Sequence, residues 1–278
     1  MRVVSLHADV LLATSAIWQT NCVIVRGAVG GSEQAPPAQD ATHAAETFVI
    51  DSPVLPEELE VLPALLEQSR FPSPSGLLAT HADWDHLLGR LAFPDTTLGC
   101  AETTAERMRA TPGEPQRELR AFDEQHYVRR GRPLALGSVQ TLAVPGRCEI
   151  GEQELELHQT DGHTSDGLAV WIGWAGVLVA GDYLSPVELP VLGKGGSVEA
   201  YLDTLARLRS LVARAEHVVP GHGPIVDAQR ALEVLEEDVA YLTSLREHGD
   251  ATELPAARRT FAQRRIHGEN LAALGSLS

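Results

Sequence analysis

The sequence predicts an α/β fold, a four-layer αββα sandwich in which two sheets carry helices on their outer faces. In each half of the chain, short apolar segments typical of strands come first, and amphipathic segments with helical spacing follow them. Four of the strand segments end in turns that carry histidine or aspartate. No shift in composition marks a domain boundary, so we expect one domain over residues 1–278.

The first half predicts five strands and two helices. Pro56 opens the first helix, which has acidic residues near its start. The second helix follows the last of these strands and runs to about Arg109. The predicted strands cover residues 3–12, 22–26, 47–51, 76–80 and 96–100.

The second half predicts an antiparallel meander and two long helices. Ser197 caps an amphipathic helix over 197–213, in which leucines recur on one face. A strand at 217–220 leads into a glycine turn, and a second helix follows at 226–247. The four short strands of the meander are separated by turns and cover residues 138–144, 154–159, 168–172 and 177–180.

Three segments are predicted to lie outside this framework. Residues 27–43 are rich in Gly, Ala, Pro and Ser, which predicts a flexible surface loop. Residues 111–132 are polar and charged, which predicts a segment that leaves the framework and passes over the functional site. His126 and Tyr127 in this segment either line a substrate pocket or face solvent. Residues 250–278 predict a C-terminal tail, whose basic part is either mobile or an oligomer contact.

Composition excludes some classes of partner. The chain has 278 residues, of which 44% are hydrophobic, as in an ordinary globular protein. Its formal net charge of -16 argues against nucleic acid and anionic membrane surfaces, because both are bound by basic surfaces. The negative net charge does not exclude a small-molecule substrate, even an anionic one, because a cationic metal centre would set the electric field at the site. The composition is also compatible with a homodimer.

Cysteine usage and the N-terminus predict a cytoplasmic location. Cys22, Cys100 and Cys148 are odd in number and scattered, so they indicate reduced thiols rather than a disulfide framework. The first nine residues include a histidine and an aspartate where a secretory signal needs an apolar stretch. We therefore expect a protein that is not exported.

Residues 80–86 place four side chains able to bind metal within six positions. On a helix, His81 and Asp85 would share a face while Asp83 pointed away. In an extended segment that turns into a helix, all three lie on one side, and the turn brings His86 round to them. That arrangement suits two adjacent metal ions better than one.

Three later motifs each place histidine or aspartate beside glycine at the end of an apolar run. They carry His163 in DGHT, Asp182 in AGDY and His222 in VVPGHGP. Glycine lets the backbone turn sharply and lets a bulky ion approach. Each motif is weak alone, but all four in this order indicate a metal site.

The series of motifs resembles that of the metallo-β-lactamase-fold hydrolase superfamily. The flanks GHTSDG, AGD and VVPGHGP are most similar to those of its glyoxalase II-like members. The similarity runs from about Thr20 to about Leu245, and it implies the αββα sandwich of that superfamily. The residues that carry it are His81, Asp83, Asp85, His86, His163, Asp182 and His222.

The resemblance implies a dinuclear centre that holds two divalent ions, zinc first, with iron or manganese as alternatives. Such a pair holds a bridging hydroxide, because metal coordination lowers the pKa of water to about 7. Asp51 either braces a histidine, as the resemblance implies, or only ends its strand. The implied ligands are His81, Asp83 and His163 for one ion, Asp85, His86 and His222 for the other, and Asp182 as the bridge.

Asp83 departs from the superfamily pattern, which generally has a second histidine there. A carboxylate at this position resembles the iron-binding flavodiiron branch, although the chain leaves no room for that branch's appended flavin domain. Three carboxylates and one hydroxide carry a formal charge of −4, which just balances two divalent ions. We expect a weaker Lewis acid that tolerates iron or manganese better than a histidine-rich zinc site.

Few residues beyond the ligands mark catalysis or substrate binding. Asp85 counts as both ligand and catalytic residue. Tyr183 either donates a hydrogen bond to a developing oxyanion or lies on the surface. Lys194, in a glycine-rich loop, either meets a substrate carboxylate or phosphate or is solvated. Trp84, between two ligands, is expected to pack rather than to stack on a substrate.

Three functions are compatible with these observations. The favoured one is a metal-dependent hydrolase that uses a metal-bridged hydroxide on an ester, thioester, lactone or phosphoester. The alternative is a non-haem di-iron redox or oxygen-handling protein of the flavodiiron-like branch, motivated by Asp83. The third is a degenerate binding protein, which the complete ligand set disfavours.

Overall fold

The structure is a computed structural model that describes residues 1–27 and 45–275. The predicted loop at 27–43 therefore lies outside the described residues, apart from Gly27 at the end of a strand. Two sheets form the framework, and apolar clusters fill the space between them and under the helices on either side. The prediction of a four-layer α/β sandwich is confirmed.

In the part of the chain that the structure describes, the first sheet has seven strands, which follow one another in chain order. Its first four strands pair antiparallel, and the remaining three join them in parallel. The strands are β1 (Arg2–His7), β2 (Val10–Thr14), β3 (Asn21–Gly27), β4 (Glu46–Ile50), β5 (Gly76–Leu78), β6 (Leu98–Ala101) and β7 (Val139–Leu142).

The second sheet has five strands in the order β12-β11-β10-β9-β8. All its pairs are antiparallel except that of β11 with β12. The strands are β8 (Gly146–Ile150), β9 (Gln153–Gln159), β10 (Leu168–Ile172), β11 (Val177–Val179) and β12 (His217–Val219).

Helices lie on the outer face of each sheet, and within residues 1–27 and 45–275 five pack on the first sheet and three on the second. Successive side chains of a strand point to opposite faces of its sheet, so each strand contributes to the core between the sheets and to the contact with the helices. In β2, Val10 and Leu12 face the second sheet, whereas Leu11 and Ala13 face the helices. The helices are α1 (Pro56–Glu60), α2 (Leu62–Gln68), α3 (Gly89–Ala92), α4 (Glu102–Ala110), α5 (Glu114–His126), α6 (Val198–Val212), α7 (Ala228–His248) and α8 (Phe261–Gly275).

Several predicted elements differ from the observed ones. The strand expected at 3–12 is the hairpin of β1 and β2, because the chain turns at Ala8 and Asp9. The helix that opens at Pro56 ends at Glu60 and restarts as α2, which places Pro63 in a first turn, where proline is tolerated. The first strand of the predicted meander is β7, which pairs with β6 instead. Sequence reasoning missed β8, which pairs with β9.

Two segments predicted as irregular are helical. The excursion at 111–132 contains α5, which begins after Gly113 in the left-handed conformation, with a positive φ of 75°. The tail predicted at 250–278 contains α8, whose Ile266 packs into the apolar cluster outside the second sheet. Among the described residues, no helix combines the length and apolarity needed to cross a membrane.

Candidate metal centre

Four loops meet at one edge of the two sheets, and each follows the carboxyl end of a strand. The loop after β5 carries residues 80–86, and its last three residues form a 3-10 turn. The loops after β9, β11 and β12 carry His163, Asp182 and His222. Four motifs far apart in the chain thus reach one place.

Gly221 shows why glycine precedes the last histidine. A Cβ atom at this position would lie 1.9 Å from Oδ1 of Asp182 and 3.0 Å from Cε1 of His86. The backbone therefore approaches the cluster more closely than any side chain would allow. The Gly221 amide also donates a 2.6 Å hydrogen bond to the Gly181 carbonyl, which joins two of the loops.

Asp182 lies at the centre of the cluster. Its Oδ2 atom lies 3.6 Å from Nε2 of His81, 3.4 Å from that of His163 and 3.5 Å from that of His222. Its Oδ1 atom lies 3.3 Å from Nε2 of His86. One carboxylate therefore faces four imidazoles, which is the position that a bridging ligand requires.

Two triads of potential ligand atoms flank Asp182, and within each triad all atoms lie within 4.8 Å of one another. Oδ2 of Asp83 lies 3.5 and 3.4 Å from the two ring nitrogens of its triad. Oδ2 of Asp85 lies 3.7 and 3.3 Å from those of the other. The triads are His81, Asp83 and His163, and Asp85, His86 and His222.

The donor atoms fit divalent metal ions. Nε2 of His81, His86 and His163 and Oδ1 of Asp182 are buried without a hydrogen-bond partner in the described part of the chain. Native proteins nearly always pair such atoms. Ligand atoms bound at about 2.0–2.2 Å around a tetrahedral zinc ion lie about 3.3–3.6 Å apart, and the separations here are 3.3–3.7 Å. Cations would satisfy all of these atoms.

The outer nitrogen of each imidazole is held by a neighbouring group. Nδ1 of His163 donates to the Val191 carbonyl at 2.9 Å, so its Nε2 atom is the one that would offer a lone pair to a metal ion once its proton is lost. Nδ1 of His222 lies 3.3 Å from the Thr20 hydroxyl. These contacts fix the rings with Nε2 facing inward, as metal-binding histidines require.

Asp51 braces the cluster, which decides between the two interpretations left open by the sequence. Its Oδ2 atom lies 2.9 Å from Nδ1 of His86 and accepts a 2.9 Å hydrogen bond from the Thr80 hydroxyl. The Thr80 oxygen in turn lies 3.0 Å from Nδ1 of His81. The Asp51 backbone has a positive φ of 58°, uncommon for a residue other than glycine.

The acids and histidines of the cluster compensate one another's charge. Burial alone would raise the pKa of Asp182, but the neighbouring His222 and His86 hold it well below its usual range. Burial alone would lower the pKa of the histidines, but Asp83 and Asp182 raise that of His163 to about 9. Asp182 similarly raises the pKa of His222 to about 10. A divalent cation would replace protons in this balance.

A comparison with known families agrees with this geometry. The family model of the metallo-beta-lactamase superfamily matches residues 53–222, which include both triads and Asp182. The chain belongs to the metallo-beta-lactamase superfamily. Its members are mostly hydrolytic metalloenzymes that bind divalent metals, usually zinc. The closer likeness to glyoxalase II stays a prediction.

Relatives of this metallo-beta-lactamase superfamily chain are distant. The Beta-lactamase-like protein 2 homolog of Caenorhabditis elegans is 23% identical over 198 residues, which cover 67% of this chain and 57% of that protein. The chain thus spans less than two thirds of the length of this curated relative.

Solved structures share the fold at similarly low identity. A metallo-beta-lactamase family protein from Thermus thermophilus is 20% identical, with a TM-score of 0.64 over 98% of this chain and 95% of that chain. A metallo-beta-lactamase from Pontibacter korlensis is 19% identical, with a TM-score of 0.57 over 84% of this chain and 98% of that chain. At these identities the likeness shows the fold alone.

Two adjoining cavities, of about 470 and 740 Å³, open onto the centre of this metallo-beta-lactamase superfamily member. We name them the smaller and the larger lobe. The smaller lobe runs along α8, and the larger lobe runs along α5. They form one cleft, because both are lined by Trp18, Asp83, Asp85, Arg265 and Glu269.

Tyr183 does not reach the cleft. Its side chain is buried, and its hydroxyl accepts a 2.9 Å hydrogen bond from the amide of His163. The same hydroxyl donates to the Thr160 carbonyl at 3.3 Å. Burial raises the pKa of Tyr183. The structure therefore corrects the prediction of an oxyanion donor: Tyr183 supports the loop that carries His163.

Lys194 lines the larger lobe but is already ion-paired. Its ammonium group contacts the carboxylates of Glu114 and Glu118 on α5, the latter at 2.8 Å. The pairing with Glu114 raises the pKa of Lys194. A substrate carboxylate or phosphate would have to share the ammonium group with these two glutamates, and the role of Lys194 as an anion-binding residue stays a prediction.

His126 and Tyr127 follow each other at the end of α5 but lie in different places. His126 lines the larger lobe and stacks on Phe122, with the ring centroids 4.5 Å apart. Tyr127 is 92% exposed and lines neither lobe. The prediction that Tyr127 binds substrate is therefore corrected, whereas His126 stays a candidate.

Sequence reasoning missed several residues of the cleft. Arg107 on α4 donates to Asp83 and, at 2.8 Å, to Asp166. Asp166 belongs to the GHTSDG motif, so its position could have drawn notice, but no motif marks Arg107. Trp18 and Arg265 lie before and beyond the segment that resembles the superfamily. Trp84 is buried against Trp18 and Phe122, as its predicted packing role requires.

Proposed function

We propose that this protein is a metal-dependent hydrolase that cleaves an ester, thioester, lactone or phosphoester bond at a dinuclear centre. The observation that carries the proposal is the arrangement of two ligand triads around the Asp182 carboxylate. Two divalent ions, most simply zinc, would polarise the carbonyl or phosphoryl oxygen of the substrate and lower the pKa of water to about 7.

The chain itself would hold the ions, place the substrate and move a proton. The seven ligand side chains hold the ions, and Asp51 and Thr80 fix the rings of His86 and His81. Asp85 lines both lobes of the cleft, so its carboxylate is placed to orient the attacking water and to accept its proton. The two lobes of the cleft lie beside the metal-binding side chains and would each have room for part of a small-molecule substrate.

Hydrolysis by metal-reconstituted protein tests the proposal. Metal-free protein is loaded with zinc, manganese or iron(II) and assayed with thioesters, lactones, p-nitrophenyl esters and bis(p-nitrophenyl) phosphate. We expect turnover in at least one class, loss of turnover with a chelator, and recovery when metal returns. Asp182→Ala should abolish turnover, whereas Glu233→Gln on the exposed face of α7 should keep it. Absence of turnover in every class and metal form would refute the proposal.

Asp83 supports a second candidate, a di-iron redox or oxygen-handling protein. It adds a third carboxylate, a ligand type that suits iron and manganese better than imidazole alone does. An iron-loaded protein of this kind should consume oxygen or nitric oxide in the presence of an electron donor and should not hydrolyse the substrate panel. Hydrolysis of the substrate panel without consumption of oxygen or nitric oxide would favour the hydrolase.

A further inference from the structure

We propose that the substrate is an uncharged ester, thioester or lactone with an aromatic or bulky apolar group that lies against Trp18. This proposal rests on the hydrolase function proposed above. Trp18 is 52% exposed, although it lies in the walls of both lobes and next to the ligand cluster. An indole in this position offers apolar surface to whatever occupies the cleft.

Trp18 is the exposed part of a packed aromatic group. Its ring lies edge-on to Trp84 and Phe122, with centroids 5.6 and 5.1 Å apart, and those two rings are themselves 4.8 Å apart. Trp84 and Phe122 are buried in the cluster outside the first sheet. The indole is therefore held in place by the core, as a preformed binding surface requires.

The backbone at Trp18 is also held in a costly conformation. Trp18 and Gln19 have positive φ angles of 54° and 52°, which cost about 1–2 kcal/mol each for residues other than glycine. The next residue, Thr20, forms an isolated bridge with His222, and its hydroxyl lies 3.3 Å from the His222 ring. The surroundings thus enforce a strained turn that places the indole beside a ligand, a pattern that clusters at functional sites.

The charges of the cleft disfavour a substrate with an additional anionic group. The lysine and arginine side chains that line the two lobes are Arg107, Lys194 and Arg265. Each is paired with a carboxylate: Arg107 with Asp83 and Asp166, Lys194 with two glutamates of α5, and Arg265 with Glu269 at 3.4 Å. An anionic group remote from the scissile bond would therefore have to share one of these cations with a carboxylate that already contacts it.

A series of thioesters tests this preference with the metal-loaded protein. Acetyl, phenylacetyl and succinyl thioesters of N-acetylcysteamine share one uncharged leaving group and differ only in the acyl part. We expect kcat/KM for the phenylacetyl compound to exceed that for each of the others about tenfold or more, because a buried apolar group is worth roughly 10–200-fold in discrimination. A preference for the succinyl compound, or for bis(p-nitrophenyl) phosphate, would overturn the proposal.

Variants at Trp18 identify the surface responsible. Trp18→Ala should lower the phenylacetyl-to-acetyl ratio of kcat/KM about tenfold, mainly through KM, and Trp18→Phe should restore most of the ratio. Tyr127→Ala removes an aromatic ring that is 92% exposed and outside the cleft, and it should leave both values unchanged. An equal loss with both thioesters in Trp18→Ala would count against the proposal.

A binding experiment separates this proposal from the hydrolase function. N-Butylphenylacetamide and N-butylacetamide resist hydrolysis, and their binding can be measured by isothermal titration calorimetry in the wild type and in variants at Trp18. We expect the aromatic amide to bind about tenfold more tightly, and this preference should disappear in Trp18→Ala. If this preference appears while no substrate class is turned over in any metal form, the hydrolase function fails and the binding surface stands. No preference between the amides overturns the binding surface, whatever the hydrolase assays show.

Discussion

Asp83 divides its carboxylate between Arg107 and the ligand cluster. One oxygen accepts a hydrogen bond from Arg107, and the other lies 3.5 Å from His81 and 3.4 Å from His163. Arg107 is itself tethered, because it donates at 2.8 Å to Asp166. Asp83 therefore offers a single oxygen in a fixed direction. The charge count made from the sequence omitted Arg107, so the expectation of a weaker Lewis acid no longer follows from it.

Removal of Arg107 should weaken the binding of one metal ion more than that of the other. Arg107→Gln frees the Asp83 carboxylate to rotate, so we expect a loss of about 10–100-fold in affinity for the ion of the His81 triad. The ion of the Asp85 triad should be held nearly as in the wild type. Competition with a chromophoric chelator measures both dissociation constants.

The same change in an Asp83→His background is the control. Histidine is the usual residue of the superfamily at this position and cannot accept the Arg107 hydrogen bonds as a carboxylate does. Arg107→Gln should therefore have little further effect on metal affinity. A similar loss in both backgrounds would show that Arg107 acts through Asp166 rather than through Asp83.

Tyr183→Phe should reduce stability more than catalysis. The hydroxyl is the acceptor for the buried amide of His163, and an unpaired buried donor costs about 1–3 kcal/mol in the free energy of unfolding. Loss of an oxyanion donor would instead lower kcat about 10²–10³-fold. Urea unfolding and steady-state kinetics distinguish the two, and a fall of that size in kcat with unchanged stability would restore the role expected from the sequence.

Arg258 should hold the C-terminal segment against α7 and the loop that follows Asp182. Its side chain is fully buried, pairs with Asp238 and Glu237 of α7, and donates at 2.9 Å to the Glu188 carbonyl in the loop after Asp182. Burial raises the pKa of Asp238 to about 7 even beside Arg258, so in Arg258→Met this carboxyl takes up a proton, and the loss of its hydrogen-bond partner should cost about 1–3 kcal/mol in urea unfolding. Arg259→Met, at an exposed side chain next to it, should change stability by about 0.5 kcal/mol or less.

Metal uptake at pH 7 should release about three protons, one each from His86, His163 and His222. In the metal-free cluster the neighbouring carboxylates raise the pKa of His163 to about 9, that of His222 to about 10 and that of His86 well above its usual value, so all three rings are protonated at pH 7. Ions bind only the neutral rings, so metal affinity should rise with pH between 7 and about 9. Isothermal titration calorimetry in two buffers of different ionisation enthalpy measures the release. Equal heats in both buffers would show that the rings are already neutral.

The framework of the fold could be predicted wherever periodicity is local and unambiguous. The leucine spacing predicted α6 at nearly its observed limits, and the apolar run 168–172 coincides with β10. The pairing of β7 could not be predicted, because a short strand carries no signal for its partner. The hairpin of β1 and β2 was missed because Ala8 and Asp9 are not a strong turn sequence.

The ligand motifs could be found in the sequence because each carries its own local signal, a strand end followed by glycine. The residues that complete the cleft carry none. Arg107 meets its carboxylates across 24 and 59 residues of chain, and Trp18 meets Phe122 only through the packing of α5. Such roles arise from tertiary contact, which no single stretch of sequence specifies.

The number of ions that each chain binds tests the dinuclear centre most directly. Metal-free protein is titrated with zinc, manganese or iron(II) and examined by native mass spectrometry, with Asp182→Ala as the comparison. We predict two ions per wild-type chain with at least one of these metals, and fewer in Asp182→Ala, because its carboxylate faces both triads. A wild-type chain that binds no ion, or only one, with all three metals would contradict the dinuclear centre.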